Sequence, residues 1–388
     1  MMVRPGQWLG VLGAGQLGRM FCQAAQSMGY RVMVLDPEES SPTAAIADAH
    51  ILATFDDQDA LSELAANCLA VTTEFENVPA QSLEILARRI QVAPGASAVE
   101  LVQDRCVEKA FIEALGVPVA PHHAVRELAD LKQAPETLFP GILKVARLGY
   151  DGKGQTRVSS KLQAVEAFKA ADNVPCVLEA QLSLKAELSV VLARDMQGQS
   201  RVFPVARNVH HEGILSVTHV DGQISALTEA ATKAAIEIAE GLGYHGVLCV
   251  EFFVLHDGSL LVNEIAPRPH NSGHFTMNAC ATSQFEQQAR VMAGLPLGDT
   301  RLLSPVVMLN LLGDVWLNED DEITEPDWQA LLALPGTALH LYGKAEARRG
   351  RKMGHVNITA PSMSKAVEVA NEVVALFDLP VPVTLYTP

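Results

Sequence analysis

The chain has 388 residues, 48% of them hydrophobic and 19% charged, as expected of a folded protein of two or three domains and not of a disordered or fibrous one. A formal net charge of −16 argues against general affinity for nucleic acid or anionic membranes and makes any local cluster of cations conspicuous. Six cysteines without a CxxC pair, no signal-peptide pattern at Met1–Gly6 and no apolar run of membrane-spanning length point to a reducing, cytoplasmic compartment.

The first hundred or so residues alternate strand and helix. Trp8–Leu12 reads as a short strand, followed by the turn Gly13-Ala14-Gly15-Gln16-Leu17-Gly18 and a helix to about Met28. Arg31–Leu35 forms a second strand ending at Asp36, and Ala70–Thr73 a further one that runs into Glu74-Phe75-Glu76-Asn77. A helix over 80–89 leads to a strand at 90–93, ended by Pro94-Gly95. This βαβ order predicts a Rossmann-like parallel sheet with a ligand crevice at the carboxyl ends of its strands. The Gly13-x-Gly15-x-x-Gly18 spacing, with Asp36 downstream, fits a dinucleotide fingerprint and so a nicotinamide oxidoreductase. The same glycines serve any tight turn that cradles a phosphate, and Gln16 at the crevice suits a phosphate-bearing substrate.

A helix from about Gln103 to Leu115 is stopped by Gly116-Val117-Pro118. Residues 119–182 read as a small α+β unit with strands near 141–145 and 176–179. Lys144 ends the first of these, and Gly149-Tyr150-Asp151-Gly152-Lys153-Gly154-Gln155 follows. Three glycines in this loop allow backbone N–H groups to reach phosphate oxygens, while the two lysines supply charge. No Gly-Lys is followed by Ser or Thr, which disfavours a P-loop; an ordinary glycine-rich hairpin turn is the plain alternative. The segment Glu179-Ala180-Gln181-Leu182 ends an apolar strand as a linker whose backbone could read an adenine edge, with Glu187 near enough for ribose hydroxyls.

Next come a helix over 227–241 and a strand over Gly246–Leu255. His256-Asp257-Gly258-Ser259 is a turn, and Leu260–Ile265 is the return strand. A turn centred between Asp257 and Gly258 places Glu251 opposite Glu264, on the face that carries Phe253 and Val262. Like charges directly opposite one another destabilise a sheet, so a divalent cation is expected between them. Two carboxylates, with Asn263 adjacent, suit a hard ion such as Mg²⁺ better than zinc. A solvated edge hairpin with two exposed glutamates is the alternative. The segment Ala266-Pro267-Arg268-Pro269-His270-Asn271-Ser272-Gly273-His274 follows, dense in polar groups for a purely structural loop. A boundary is expected near Leu297-Gly298-Asp299, with a C-terminal domain of its own strands and helix beyond it. That domain contains Tyr342-Gly343-Lys344 and Arg348-Arg349-Gly350-Arg351-Lys352, a focused cationic cluster. Without interleaved aromatics it fits a single substrate phosphate better than nucleic acid.

Together these motifs resemble the ATP-grasp superfamily and, within it, the N5-carboxyaminoimidazole ribonucleotide synthetase family of purine biosynthesis. The most specific pieces are GAGQLGRM at 13–20, GYDGKGQ at 149–155, NEIAPRPHNSGH at 263–274, SQFEQQ at 283–288 and GRKMGH at 350–355. The formate-dependent glycinamide ribonucleotide transformylases are the alternative; they are expected to carry Asp-Thr-Gly where this chain has Asn271-Ser272-Gly273. The resemblance implies an N-terminal Rossmann-like domain over 1–103, an ATP-grasp domain over 104–300 with a lid at about 119–182, and a small C-terminal domain over 301–388. It implies that Arg105, Lys144, Gly149, Tyr150, Asp151, Gly152, Lys153, Gly154, Gln155, Glu179, Ala180, Gln181, Leu182, Glu187, His210, Asn263 and Glu264 contact ATP. Glu251 and Glu264 would hold Mg²⁺, and Gln16, Leu17, Glu76, Lys344 and Arg351 would bind 5-aminoimidazole ribonucleotide. Tyr150, Arg268, His270 and Asn271 would surround bicarbonate and carboxyphosphate, with His270 the candidate acceptor of the amine proton. A homodimer and a pathway partner, the mutase acting on the product, are also implied. The linker after Glu179 departs from the family in lacking aromatic or basic residues, which weakens its side-chain assignment alone.

Overall fold

The computed structural model describes residues 2–149 and 153–385. Tyr150, Asp151 and Gly152, expected at the phosphate loop and the reacting anion, lie outside the described residues. The N-terminal sheet is parallel, in the spatial order 49–52, 31–36, 8–12, 70–73, 91–92. Its first strand lies between the second and the fourth, so the order of strand addition reverses there, at the loops after Leu12 and Thr73. The strand Ala49–Leu52 and the helix Gln58–Asn67 complete this unit, and neither stands out in the sequence. The expected helix from about Gln103 forms over Arg105–Ala114, preceded by a short helix that the sequence did not suggest. Ala96–Val102 is followed by Arg105–Ala114, with the Asp104 side chain capping the second by accepting from the Cys106 and Val107 amides.

The unit expected to act as a lid is a four-stranded antiparallel sheet in the order 122–125, 176–180, 141–145, 155–158. Helices Leu128–Gln133 and Lys161–Ala170 pack on it through Leu131, Ala164 and Phe168. The third sheet is the largest, with nine antiparallel strands. Its main path runs 260–266, 246–255, 184–194, 206–211, 214–220, 306–312, 352–359, 337–341. Strands 306–312, 352–359 and 337–341, read from sequence as belonging to a C-terminal domain, therefore continue the sheet that carries the hairpin. Helix Ala226–Gly241 covers one face through Ala231, Ala235 and Ile238, while helix Met363–Phe377 covers the C-terminal strands.

The hairpin forms over the expected residues, Gly246–Leu255 and Leu260–Ala266, but not in a uniform register. Phe252 pairs with Val262 and Phe253 with Leu261; an irregularity at Asn263 then restores the pairing of Glu251 with Glu264. Val262 consequently packs into the core with Phe252 and Val250, not beside the glutamates as the simple alternation predicts.

Candidate active site

Where the three units meet there is a cavity of about 850 Å³. Its lining brings together Gln16, Leu17, Glu76, Arg105, Gly149, Lys153, Glu264, Arg268, His270, Asn271, Lys344 and Arg351, all chosen from sequence and contributed mostly by helix starts and loops around the three sheets. Glu74, Phe75, Arg348, Arg349 and Lys352 line it as well.

The floor of the N-terminal crevice is filled by the chain itself. The Glu74 carboxylate accepts from the Gly15 amide at 2.9 Å and from the Gly18 amide at 3.1 Å. A side chain on Gly15 would come within 2.6 Å of that carboxylate, and Gly13, at φ +96°, faces Glu74 and Phe75 equally closely. Asp36 accepts from the Ala14 and Glu38 amides, each at 2.8 Å. The fingerprint's anion cradle thus holds an internal carboxylate, and its acid closes the turn instead of waiting for a ribose. This arrangement leaves the nicotinamide reading without a pyrophosphate seat.

Glu251 and Glu264 face each other on the hairpin, and Glu251 is only 8% exposed, which excludes the solvated-edge alternative. Burial and the facing Glu264 push the Glu251 carboxyl up to about 7. Burial acts on Glu264 too, but Arg105, whose Nη1 lies 2.7 Å from Glu264 Oε2, outweighs it and holds that carboxyl below the ordinary range. Among the described residues no cluster of three His, Cys, Asp or Glu forms a closed metal cage. A buried Glu251 facing a partly exposed Glu264 is a donor set that fits Mg²⁺, which takes one or two protein carboxylates and completes its shell with phosphates and water. Asn263 contributes its carbonyl to Lys109 Nζ at 3.4 Å.

Lys144 and Glu179 form a buried pair at 2.7 Å, and Lys109, fully buried, approaches the other Glu179 oxygen at 3.1 Å. Lys109 was not singled out from sequence; its place one helical turn after Arg105 was the available signal. Burial would raise Glu179, yet Lys144 and Lys109 bring it down to about 2. Burial also lowers Lys144, against the pull of Glu179 and with Lys109 and Arg105 adding to the effect. Glu187 pairs with His210 on neighbouring strands, away from the cavity lining. In the linker, the Ala180 and Gln181 amides donate to the Pro121 and Pro140 carbonyls, each at 2.9 Å. Those two donors are therefore not offered to a nucleobase, contrary to the simplest reading of this segment. Gly154, at φ +73°, lies against Val145 so closely that a side chain would reach it at 2.5 Å, and Gln155 pairs with Lys144 across the two strands.

Beyond the hairpin, Arg268 is paired with Glu76, which ties the strap 267–274 to the N-terminal crevice. His270 Nε2 lies 3.5 Å from Glu251 Oε1. Asn271 is buried and lines the cavity, and neither polar atom of its side chain has a partner within the protein, as expected of a group kept for a ligand. From the connection between the C-terminal strands 337–341 and 352–359, Lys344 Nζ donates to the Lys352 carbonyl at 2.7 Å and Arg351 Nη1 to the Glu346 carbonyl at 2.8 Å. Arg349 instead turns to Asp321, at 2.7 Å.

Three family models match the chain in succession: a ribonucleotide synthetase preATP-grasp domain over 7–103, an ATP-grasp domain over 110–285, and a phosphoribosylaminoimidazole carboxylase C-terminal domain over 306–369. The N5-carboxyaminoimidazole ribonucleotide synthase of Brucella melitensis is 47% identical over 363 residues, covering 92% of this chain and 98% of its own. That of Bacillus subtilis is 41% identical over 359 residues, covering 92% of each chain. The crystal structure of an ADP complex of an N5-carboxyaminoimidazole ribonucleotide synthetase superposes with a TM-score of 0.89 at 41% identity, over 97% of this chain and 98% of that one. The Aspergillus clavatus synthase, solved with ADP and 5-aminoimidazole ribonucleotide, gives 0.86 at 31% identity, over 96% and 99% of the two chains. A parallel-sheet N-terminal unit, a carboxylate-bearing hairpin facing a cationic wall and relatives matched over nearly their whole length lead to one assignment: the chain belongs to the N5-carboxyaminoimidazole ribonucleotide synthase family of ATP-grasp ligases in purine biosynthesis.

Proposed function

We propose that this chain carboxylates the exocyclic amine of 5-aminoimidazole ribonucleotide, using ATP and bicarbonate and passing through carboxyphosphate. The observation that carries the reading is a single cavity lined both by Glu264, Arg268, His270 and Asn271 and by Lys344 and Arg351. That combination of anion-handling groups suits a cavity that takes both a phosphoryl donor and a substrate phosphate.

In this reading Arg105, Lys144, the loop 149–155, Glu179–Leu182, Glu187, His210 and Asn263 surround ATP. Glu251 and Glu264 would hold Mg²⁺, which neutralises charge on the β- and γ-phosphates when bound. Gln16, Leu17, Glu76, Lys344 and Arg351 hold the ribonucleotide. Tyr150, Arg268, His270 and Asn271 enclose the reacting anion. A bicarbonate oxygen attacks the γ-phosphorus, the bond to the bridging oxygen breaks, and ADP leaves. Lys144 and Arg268 offset the charge on the transferring group, so catalysis rests on position and electrostatics. The amine then attacks the carboxyl carbon and phosphate departs. Carboxyphosphate hydrolyses in water, so closure of the lid 119–182 also protects it. A cytoplasmic homodimer, coupled in its pathway to the mutase that acts next on the product, completes the proposal, with domains divided at about 103 and 300.

The test is phosphate release from Mg-ATP and bicarbonate, with and without the ribonucleotide. Strong stimulation that requires bicarbonate is expected. Stimulation by glycinamide ribonucleotide and formate in its place would overturn the reading. Arg351→Ala should raise the Michaelis constant for the ribonucleotide about ten- to a hundredfold, the worth of one charge-assisted hydrogen bond. That for ATP should stay nearly constant, and equal changes in both would remove Arg351 from the phosphate site.

A further inference from the structure

The two ring nitrogens of His270 meet different surroundings. Nδ1 faces the protein, 2.8 Å from Ser272 Oγ, and accepts from the Ser272 backbone amide at 3.3 Å. A backbone amide only donates, so Nδ1 holds a lone pair and the ring proton sits on Nε2. Behind Ser272 runs a buried chain of side chains. Thr218 Oγ1 donates to Asn208 Oδ1 at 3.0 Å, Asn208 Nδ2 to Ser189 Oγ at 2.9 Å, and Ser189 Oγ to Ser272 Oγ at 2.7 Å. Each of its hydrogens points toward His270, and since Ser272 accepts from Ser189, its own hydroxyl hydrogen is directed at Nδ1.

The backbone of His270 is held as firmly. Its amide donates to Gln284 Oε1 at 2.9 Å, and its carbonyl accepts from Gln284 Nε2 at 2.8 Å. Gln284 is completely buried, at the start of the SQFEQQ helix. What remains for the reaction is Nε2–H, whose 3.5 Å separation from Glu251 Oε1 exceeds the usual span of about 2.7–3.2 Å for an N–H···O bond.

We propose that His270 acts as a hydrogen-bond donor, through Nε2–H, to the oxyanion of the reacting carboxyl-phosphate group, and that Ser272 is the positioning residue that fixes this tautomer. The inference rests on the carboxylating reading above and revises one part of it. An imidazole with Nδ1 occupied and Nε2 protonated has no lone pair for the amine proton. As the new C–N bond forms, the electron pair of the breaking C–O bond passes to phosphate, and that departing phosphate takes the proton.

The experiment uses the full-length enzyme and four variants. His270→Ala should lower kcat about a hundredfold, as removal of an oxyanion donor does. His270→Gln offers an amide N–H and no basic nitrogen, and it should recover about tenfold of that loss. Ser272→Ala should lower kcat roughly tenfold with little change in the ATP Michaelis constant, and Ser272→Thr should restore most of it. ¹⁵N spectra of the wild-type imidazole should show the proton of His270 on Nε2. A His270→Gln enzyme as inactive as His270→Ala, or a proton found on Nδ1, would overturn the proposal. If the wild type showed no release stimulated by the ribonucleotide, the carboxylating reading would fall instead. The ring spectrum requires no turnover and would still decide the tautomer.

Discussion

Glu264→Gln is expected to lower Mg-ATP turnover at least about a thousandfold, the scale on which preorganised charge at a phosphoryl-transfer site acts. The substitution keeps the volume of the side chain and removes half of a facing carboxylate pair. It also takes from Arg105 the partner that its guanidinium holds at 2.7 Å, so one change disturbs both the proposed metal seat and a cation proposed to face ATP. The measurement is ribonucleotide-dependent phosphate release across a Mg²⁺ titration, with cooperative unfolding as the check that the variant folds. Turnover like that of the wild type at saturating Mg²⁺ would sink the metal assignment. Partial recovery at high Mg²⁺ would identify lost affinity as the larger part of the defect.

Glu179→Gln should have the largest effect on stability, about 3–5 kcal/mol, because it leaves Lys109 and Lys144 buried opposite a neutral amide. The pH dependence follows from the displacement of Glu179 from the ordinary 4.5 to about 2. A carboxyl lowered in the folded state contributes its full stabilisation above the unfolded value, and that contribution disappears as pH falls through the folded one. Wild-type stability should therefore drop between about pH 4.5 and 2, whereas the variant should start lower and lose less over the same interval. Urea denaturation at neutral and acidic pH reads both quantities. Equal stability of the two proteins at neutral pH would show that the lysines find other partners.

The sequence made the carboxylate pair legible because β-branched and aromatic runs flank an Asp-Gly turn. It did so by way of an incorrect step. The loop closes with the Leu255 amide on the Ser259 carbonyl, and Val254 pairs with Leu260, so the register starts one residue away from that predicted. The irregularity at Asn263 restores it just before Glu264, and only side-chain packing of Val262 and Phe252 explains why. Neither the extra residue nor that packing is encoded in alternation. The cap at Asp104 was missed for a similar reason: helical propensity continues across Gln103, whose side chain is instead bound to the Glu76 and Val78 carbonyls at 2.7 and 2.8 Å.

Other features depend on contacts distant in sequence. Nothing near Glu74 announces that its carboxylate will fill the glycine turn 56–59 positions earlier. The SQFEQQ segment stood out in the sequence as a motif of the family, without a role for its glutamines. In the structure, Gln284 holds the His270 backbone and Gln288 reaches Thr72 in the N-terminal sheet at 2.7 Å. The continuation of the central sheet into the C-terminal strands is equally non-local, since strand 214–220 pairs with 306–312 across more than eighty intervening residues.

That continuous sheet has a mechanical consequence. The hairpin with the two glutamates and the strand that opens at Lys352 belong to one hydrogen-bonded fabric, so their contributions to the cavity are joined as a fixed jaw. The lid forms a separate sheet, joined to this jaw near the Val119–Val262 bridge, where the Val262 amide donates to the Pro118 carbonyl at 2.8 Å. In the proposed reading, closure would then swing one light part against a rigid frame, with the spacing of the proposed phosphoryl-donor and ribonucleotide sites set when the chain folds.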